Sequence, residues 1–165
     1  MQMDDYFLRP AEEKDIERVL GIISNHDLDE EKLARSFLED YFNDSHDKSK
    51  GRHYVLENAS EVVAVGGYMH DEAQKDYWVG LLYVDPYYRG QGLGNRLLEK
   101  VIEDVKRLGS NRILVSVDEE DINDPAIRFY TGKKFENTGL KLDPPLKPLQ
   151  RRLTLVRNII ENEVE

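Results

Sequence analysis

The hydrophobic and polar positions change period several times along the chain, and each change marks an element. Tyr6-Phe7-Leu8-Arg9 is a short apolar run closed by Pro10, which predicts a first strand. From Ala11 the apolar residues Ile16, Val19, Leu20 and Ile23 recur three and four apart, one face of a helix. Leu33, Phe37, Leu38 and Tyr41 continue that spacing and predict a second helix from about Asp29 to Phe42, with acidic residues opposite. Asn43 to Gly51 is polar and aperiodic, a loop. From His53 the texture turns to strand: Tyr54-Val55-Leu56, then Val62 to Met69, then Tyr77 to Val84, with the short turn at Asn58-Ala59-Ser60 favouring an antiparallel meander. Asp85-Pro86 ends the third of these, because proline cannot donate to a ladder.

Beyond a glycine-rich turn lies the clearest helix of the chain. Leu93, Leu97, Leu98, Val101, Ile102, Val105 and Leu108 keep one stripe, and Gly109 supplies the stop. Arg112 to Val117 predicts a buried strand, Pro125 to Thr131 a short helix opened by proline, and Phe135 to Leu142 and Leu153 to Ile159 two further strands. The proline-rich stretch Asp143 to Pro148 separates those two. The order is mixed α/β, with no internal repeat and no linker, so residues 1–165 are expected to form a single domain.

Composition narrows the chemistry. At 165 residues a folded chain buries roughly 70% of its unfolded surface and needs no staple. There is no cysteine, so thiol nucleophiles and thiolate metal sites are excluded. Twenty-three basic against 33 acidic residues give a net charge of −10, which argues against nucleic acid or an anionic membrane as main partner and favours cationic or neutral ones. No apolar run reaches membrane-spanning length, and Asp4 and Asp5 do not suit a signal segment, so a cytoplasmic protein is expected and the sequons at Asn43 and Asn58 carry no weight. His26, His46, His53 and His70 lack metal-ligand spacing and read as surface or turn histidines. Tyr77 and Trp78 read as core.

The densest signal is Val84-Asp85-Pro86-Tyr87-Tyr88-Arg89-Gly90-Gln91-Gly92-Leu93-Gly94. A strand enters a turn with glycine at alternate positions and opens a helix, so backbone N–H groups converge at a positive helix end, an anion cradle. Tyr87 to Arg96 holds no carboxylate, and Arg89 and Arg96 make the window basic. A Walker loop requires Gly-Lys-Ser/Thr at its end, where Gly94 is followed by Asn95-Arg96; a dinucleotide fingerprint requires glycine at Asn95. Neither fits.

Arg89 through Gly94 resembles the acyl-CoA loop of the GCN5-related N-acetyltransferases (GNAT): Gln or Arg, two residues, Gly, one residue, Gly or Ala. Leu82-Tyr83-Val84-Asp85-Pro86 before it, and Asn123, Ala126, Phe129-Tyr130 and Phe135 after it, resemble the same family. Two positions depart from it: Lys134 stands for the usual glycine before Phe135, and Gly80-Leu81 stand where many relatives carry a carboxylate.

The resemblance implies a GNAT-like α/β domain: a mixed, mostly antiparallel sheet of about seven strands, flanked by about four helices and splayed at the acyl-CoA site. It implies acetyl transfer from acetyl-CoA, a co-substrate, to a primary amine in a ternary complex, without a metal. Leu82, Tyr83 and Val84 would line the pantetheine arm and thioester. The backbone N–H groups of Arg89, Gly90, Gln91, Gly92, Leu93, Gly94 and Asn95 would hold the pyrophosphate, Asn123 would bond the pantetheine, and Tyr130 would protonate the leaving thiolate. A homodimer is compatible with the family.

Without a carboxylate at Gly80 or Leu81, a water chain or a distant acid such as Asp118 is expected to take the ammonium proton. That same lack leaves open a CoA-binding sensor without turnover, and the acidic helices leave open a protein-interaction module. The charge balance points to a positively charged small-molecule or peptide amine as acceptor, with Asp27, Asp29, Glu30 and Glu31 as a candidate rim.

Overall fold

The computed structural model describes residues 5–25, 28–43, 47, 49–118, 125–144 and 152–159; of Asp118 and Arg152 only the backbone is described. The elements run β1 (Phe7–Pro10), α1 (Ile16–Ser24), α2 (Leu28–Asn43), β2 (Gly51–Asn58), β3 (Glu61–Asp71), β4 (Asp76–Val84), α3 (Leu93–Arg107), β5 (Arg112–Asp118), α4 (Pro125–Thr131) and β6 (Arg152–Asn158). Six strands form one sheet in sequence order, antiparallel throughout except for β4 and β5. A parallel pair needs a crossover, and α3 supplies it.

The two faces of the sheet bury different helices. On one, Leu98, Val101 and Val105 of α3 pack with Tyr68, Tyr77, Val79, Ile113 and Val115. On the other, Val19, Leu20 and Ile23 of α1 and Ala34 and Leu38 of α2 cover Val55, Val65 and Leu81. Each buried valine, leucine or isoleucine among them stabilises by ~1.5–3 kcal/mol. Six of the 15 residues of α3 are buried, so the helix behind the glycine turn is fixed by its own stripe.

The strand expected from Phe135 to Leu142 does not form, and the sheet has six strands among the described residues where about seven were expected. Only Glu136 bridges Val156. The Asn137 side-chain oxygen accepts from Gly139 N–H at 3.1 Å, and Gly139 takes φ +85°, which bends the chain out of a ladder. Leu140 and Leu142 then fold over Trp78, Leu114 and Val156 rather than alternating across a sheet. Tyr77 and Trp78 are core, as the pattern suggested.

Candidate active site

The sheet opens between β4 and β5. Their ladder has one pairing, Trp78↔Leu114, although β4 continues to Val84 and β5 to Asp118. A half-buried ion pair closes the other end: Arg112 Nε and Nη2 donate to the two Asp76 oxygens at 2.8 and 2.9 Å. The strands are thus clamped where they start and separate where they finish. Beyond Trp78 the β4–β5 ladder has no further pairing among the described residues, so the edge of β4 borders the opening.

A bulge lies in this segment. Gly66 pairs with Leu82 and Tyr68 with Val79, so three steps on β4 oppose two on β3, and the extra residue falls at Gly80-Leu81. Leu81 and Tyr83 then face α1 and α2, while Leu82 and Val84 pack towards α3. The hydroxyl of Tyr83 donates to Glu30 Oε2 at 2.6 Å and brings the acidic first turn of α2 to the end of β4.

Beyond Val84 the turn is held from three sides. Asp85 N–H donates to Val63 O at 2.8 Å, its side chain accepts from Tyr87 N–H at 2.9 Å, and Arg18 of α1 donates to its other oxygen. Tyr6 donates to the Gln91 side chain, and Arg96 Nη1 donates to Tyr6 O at 2.8 Å, so part of the basic window anchors the N-terminal segment rather than a ligand. Gly90 and Gly92 have φ of +79° and +78°, in the left-handed region that side chains with a Cβ resist. Gly92 is the N-cap of α3 and offers no side chain to the first-turn N–H groups, and that turn holds no acid. Those donors lack intrahelical partners by construction, at the positive end of a 15-residue helix.

Among the predicted turn residues, Arg89, Gly90 and Gly92 are exposed, whereas the Leu93 side chain is buried and leaves only its backbone to a ligand. The Asn95 side chain donates to Glu99 at 3.2 Å, so its contribution too is its N–H. Tyr87 is open to solvent, and Tyr88 packs edge-on against Tyr6.

Tyr130 stands on α4 and is buried in the core cluster behind α3, while its neighbour Phe129 reaches the glycine turn. A Cβ at Gly94 would lie 3.7 Å from Phe129 Cζ and 3.8 Å from Val84 Cγ2, so α3, α4 and the end of β4 meet at this point. The Tyr130 ring stacks edge-on with Phe129 and Phe135, with centroids 5.1 and 5.3 Å away. Burial raises its pKa well above the ordinary tyrosine value, so the phenol stays protonated at neutral pH. Asn123 and Asp27 lie outside the described residues, as does the Asp118 side chain. No group of three or more His, Cys, Asp or Glu that could hold a metal occurs among the described residues.

One histidine contradicts its expected place. His26 and His46 lie outside the described residues and His70 is half-buried beside Glu72, but His53 is fully buried in β2. Its Nε2 accepts from Leu81 N–H at 3.1 Å, and its Nδ1 is buried without a partner among the described residues, which costs about 1–3 kcal/mol. The ring fits because two glycines make room for it. A Cβ at Gly67 would approach it to 2.4 Å and one at Gly80 to 2.5 Å. The pattern did carry a signal, since glycine inside a strand marks close approach.

Burial pushes the pKa of His53 down from 6.5 to about 3. The unfolded chain therefore binds a proton that the folded chain refuses between those values, and stability falls as pH drops through that window. Between pH 7 and pH 4.5 the loss from this group is about 2–3 kcal/mol. His53→Phe should lose correspondingly less over that range in urea titrations; equal losses in both proteins would mean that His53 is solvated.

The comparisons with known proteins agree with this geometry. The sequence profile of the Acetyltransferase (GNAT) family matches residues 15–135. A GNAT-family structure from Desulfovibrio desulfuricans superposes with TM-score 0.79 at 16% identity, covering 94% of this chain and 99% of that one. A GNAT-family acetyltransferase from Staphylococcus aureus Mu50 gives 0.72 at 20%, covering 94% and 99%. The ribosomal-protein-S18-alanine N-acetyltransferase of Escherichia coli gives 0.66 at 18%, covering 93% and 94%. At these identities the structures speak for the fold, while the profile spans most of the chain, including the opened strand pair, the glycine turn and Tyr130: the chain belongs to the GNAT acetyltransferase family.

Proposed function

We propose that the protein transfers the acetyl group of acetyl-CoA to a primary amine by direct attack in a ternary complex. The observation that carries this reading is the opening of β4 from β5 beside a helix N-terminus capped by a glycine at φ +78°. The two features suit one ligand, an extended arm along a strand edge ending in a pyrophosphate. The N–H groups from Arg89 to Asn95 bind the pyrophosphate, and the backbone of Leu82, Tyr83 and Val84 borders the arm and the thioester. Asn123 bonds the pantetheine. The amine nitrogen bonds to the acyl carbon, the carbon–sulfur bond breaks, and Tyr130 gives its proton to the departing sulfur. The ammonium proton leaves through water or a more distant acid such as Asp118.

The acceptor is a positively charged amine, and the reaction is cytoplasmic. The net charge of −10 and the placement of Asp29, Glu30 and Glu31 beside the end of β4 support the first of these. Long-range attraction is screened beyond about 8 Å at physiological salt. Turnover of a dicationic acceptor should therefore fall more steeply with salt than that of a monocationic one. Equal salt slopes for such a pair would remove the charge argument.

The deciding experiment is release of free thiol from acetyl-CoA across a panel of amines, with acetyl-CoA binding measured alongside. Release with a subset of cationic amines is expected. Binding without release would select a regulatory domain, the reading favoured by the missing carboxylate at Gly80. Absence of binding would leave a protein-interaction module.

A further inference from the structure

His53 belongs to β2, yet its ring acts on β4. To reach Leu81 N–H it crosses the face of β3 above Gly67, where a Cβ would lie 2.4 Å from Cγ and Cδ2. It ends beneath Gly80, where a Cβ would lie 2.5 Å from Nε2. From the helix side the ring is held edge-on by Phe37 and Tyr41 of α2, with centroids 5.1 and 5.4 Å away. The Tyr41 hydroxyl also accepts from His53 N–H at 3.1 Å. Because Nε2 accepts, the proton of the neutral ring sits on Nδ1.

A phenylalanine or leucine would fill this space without the unpartnered Nδ1 but would leave Leu81 N–H without its acceptor, so packing alone does not account for an imidazole. What only the imidazole supplies is an acceptor for the N–H of the bulge residue. Leu81 stands one residue before the Leu82–Val84 edge that borders the opening between β4 and β5. The 3.1 Å bond from Leu81 N–H to a ring packed by Phe37, Tyr41 and the two glycines ties the bulge on β4 to β2.

We propose that His53 is a positioning residue for acetyl transfer: its Nε2 locks the Gly80-Leu81 bulge and thereby aims the β4 backbone at the acyl donor. The ring also fills the volume that a side chain at position 80 would use, so imidazole and carboxylate exclude one another there. The inference rests on the acetyltransferase reading above.

Two variants test it. His53→Gln keeps an acceptor near the place of Nε2, and His53→Phe keeps a ring without one. His53→Phe should lower kcat by about 10- to 100-fold, the scale of a misplaced donor, with the KM for acetyl-CoA and the melting temperature close to the parent. His53→Gln should recover most of kcat. Parental kcat in His53→Phe overturns the proposal, and so does a His53→Gln variant as slow as His53→Phe, since shape alone would then matter. If either variant fails to fold, nitrogen–nitrogen coupling across the Leu81 N–H to His53 Nε2 bond in the unmodified, isotopically labelled protein decides: its presence is expected and its absence refutes the lock. An unmodified protein that releases no thiol with any amine would fail the functional reading and this role together, whereas an active protein indifferent to His53→Phe fails this role alone.

Discussion

Replacing Tyr130 by phenylalanine is expected to lower turnover about 10²- to 10⁴-fold, the usual effect of losing a general acid, while acetyl-CoA affinity changes little. The ring of Tyr130 is buried and packs edge-on between Phe129 and Phe135, and phenylalanine keeps those contacts. Stability should therefore stay near the parental value. The lost group is the hydroxyl, whose proton burial holds on. A phenol kept neutral has its strongest interaction when sulfur gains negative charge, and that charge exists only as the carbon–sulfur bond breaks. An interaction made only there lowers kcat and kcat/KM together and leaves ground-state binding intact. For the same reason, deprotonation of Tyr130 should not limit the rate near neutral pH. Steady-state kinetics with a competent amine and a direct acetyl-CoA binding measurement separate the alternatives: parental turnover in the phenylalanine variant makes Tyr130 a packing residue.

The parts of this site that could be read from the chain are those whose constraints are local. Asp85-Pro86 stops a strand by chemistry that proline carries anywhere, and the stripe from Leu93 to Val105 is buried in the order its spacing implied. The alternate glycines likewise stand where the backbone turns left-handed at Gly90 and Gly92. The opening between β4 and β5 was expected only through resemblance to a family, because it lies between strands whose contacts, such as Asp76 with Arg112, join residues 36 positions apart. Phe135 to Leu142 misled for a related reason: Leu140 and Leu142 have strand spacing, but their partners Trp78 and Leu114 draw them over the sheet instead of into it. His53 was hidden more deeply. Its neighbours along the chain say strand, and its burial is decided by Gly67 and Gly80 on two other strands, which read singly as weak points in a ladder.

Gly92→Val is expected to reduce acetyl-CoA affinity at least about 100-fold, three N–H contacts to a charged group being worth about 1.5–3 kcal/mol each, in a protein that still folds. Gly92 has φ +78° at the N-cap of α3, where a residue with a Cβ meets a penalty of roughly 1–2 kcal/mol and a β-branched one meets more. A domain stable by about 5–15 kcal/mol survives that. Relief of the strain turns the backbone, however, and the N–H groups of Leu93, Gly94 and Asn95 no longer converge on one point. The two added methyl groups also stand at the mouth of the cradle. Gly109 provides the control, because it closes the same helix at φ +90° with nothing within 4 Å of its Cβ position. Gly109→Val should carry a similar backbone cost and keep its affinity, so the two variants separate strain from site. Gly94 makes a graded companion: its Cβ position is in ordinary contact with Phe129 and Val84 at 3.7 and 3.8 Å, so alanine fits there and valine crowds the junction. Calorimetric titration with acetyl-CoA, paired with a melting curve for each variant, distinguishes lost binding from lost folding. If Gly92→Val bound as tightly as Gly109→Val, the turn would be a strand-to-helix connection and the pyrophosphate would lie elsewhere.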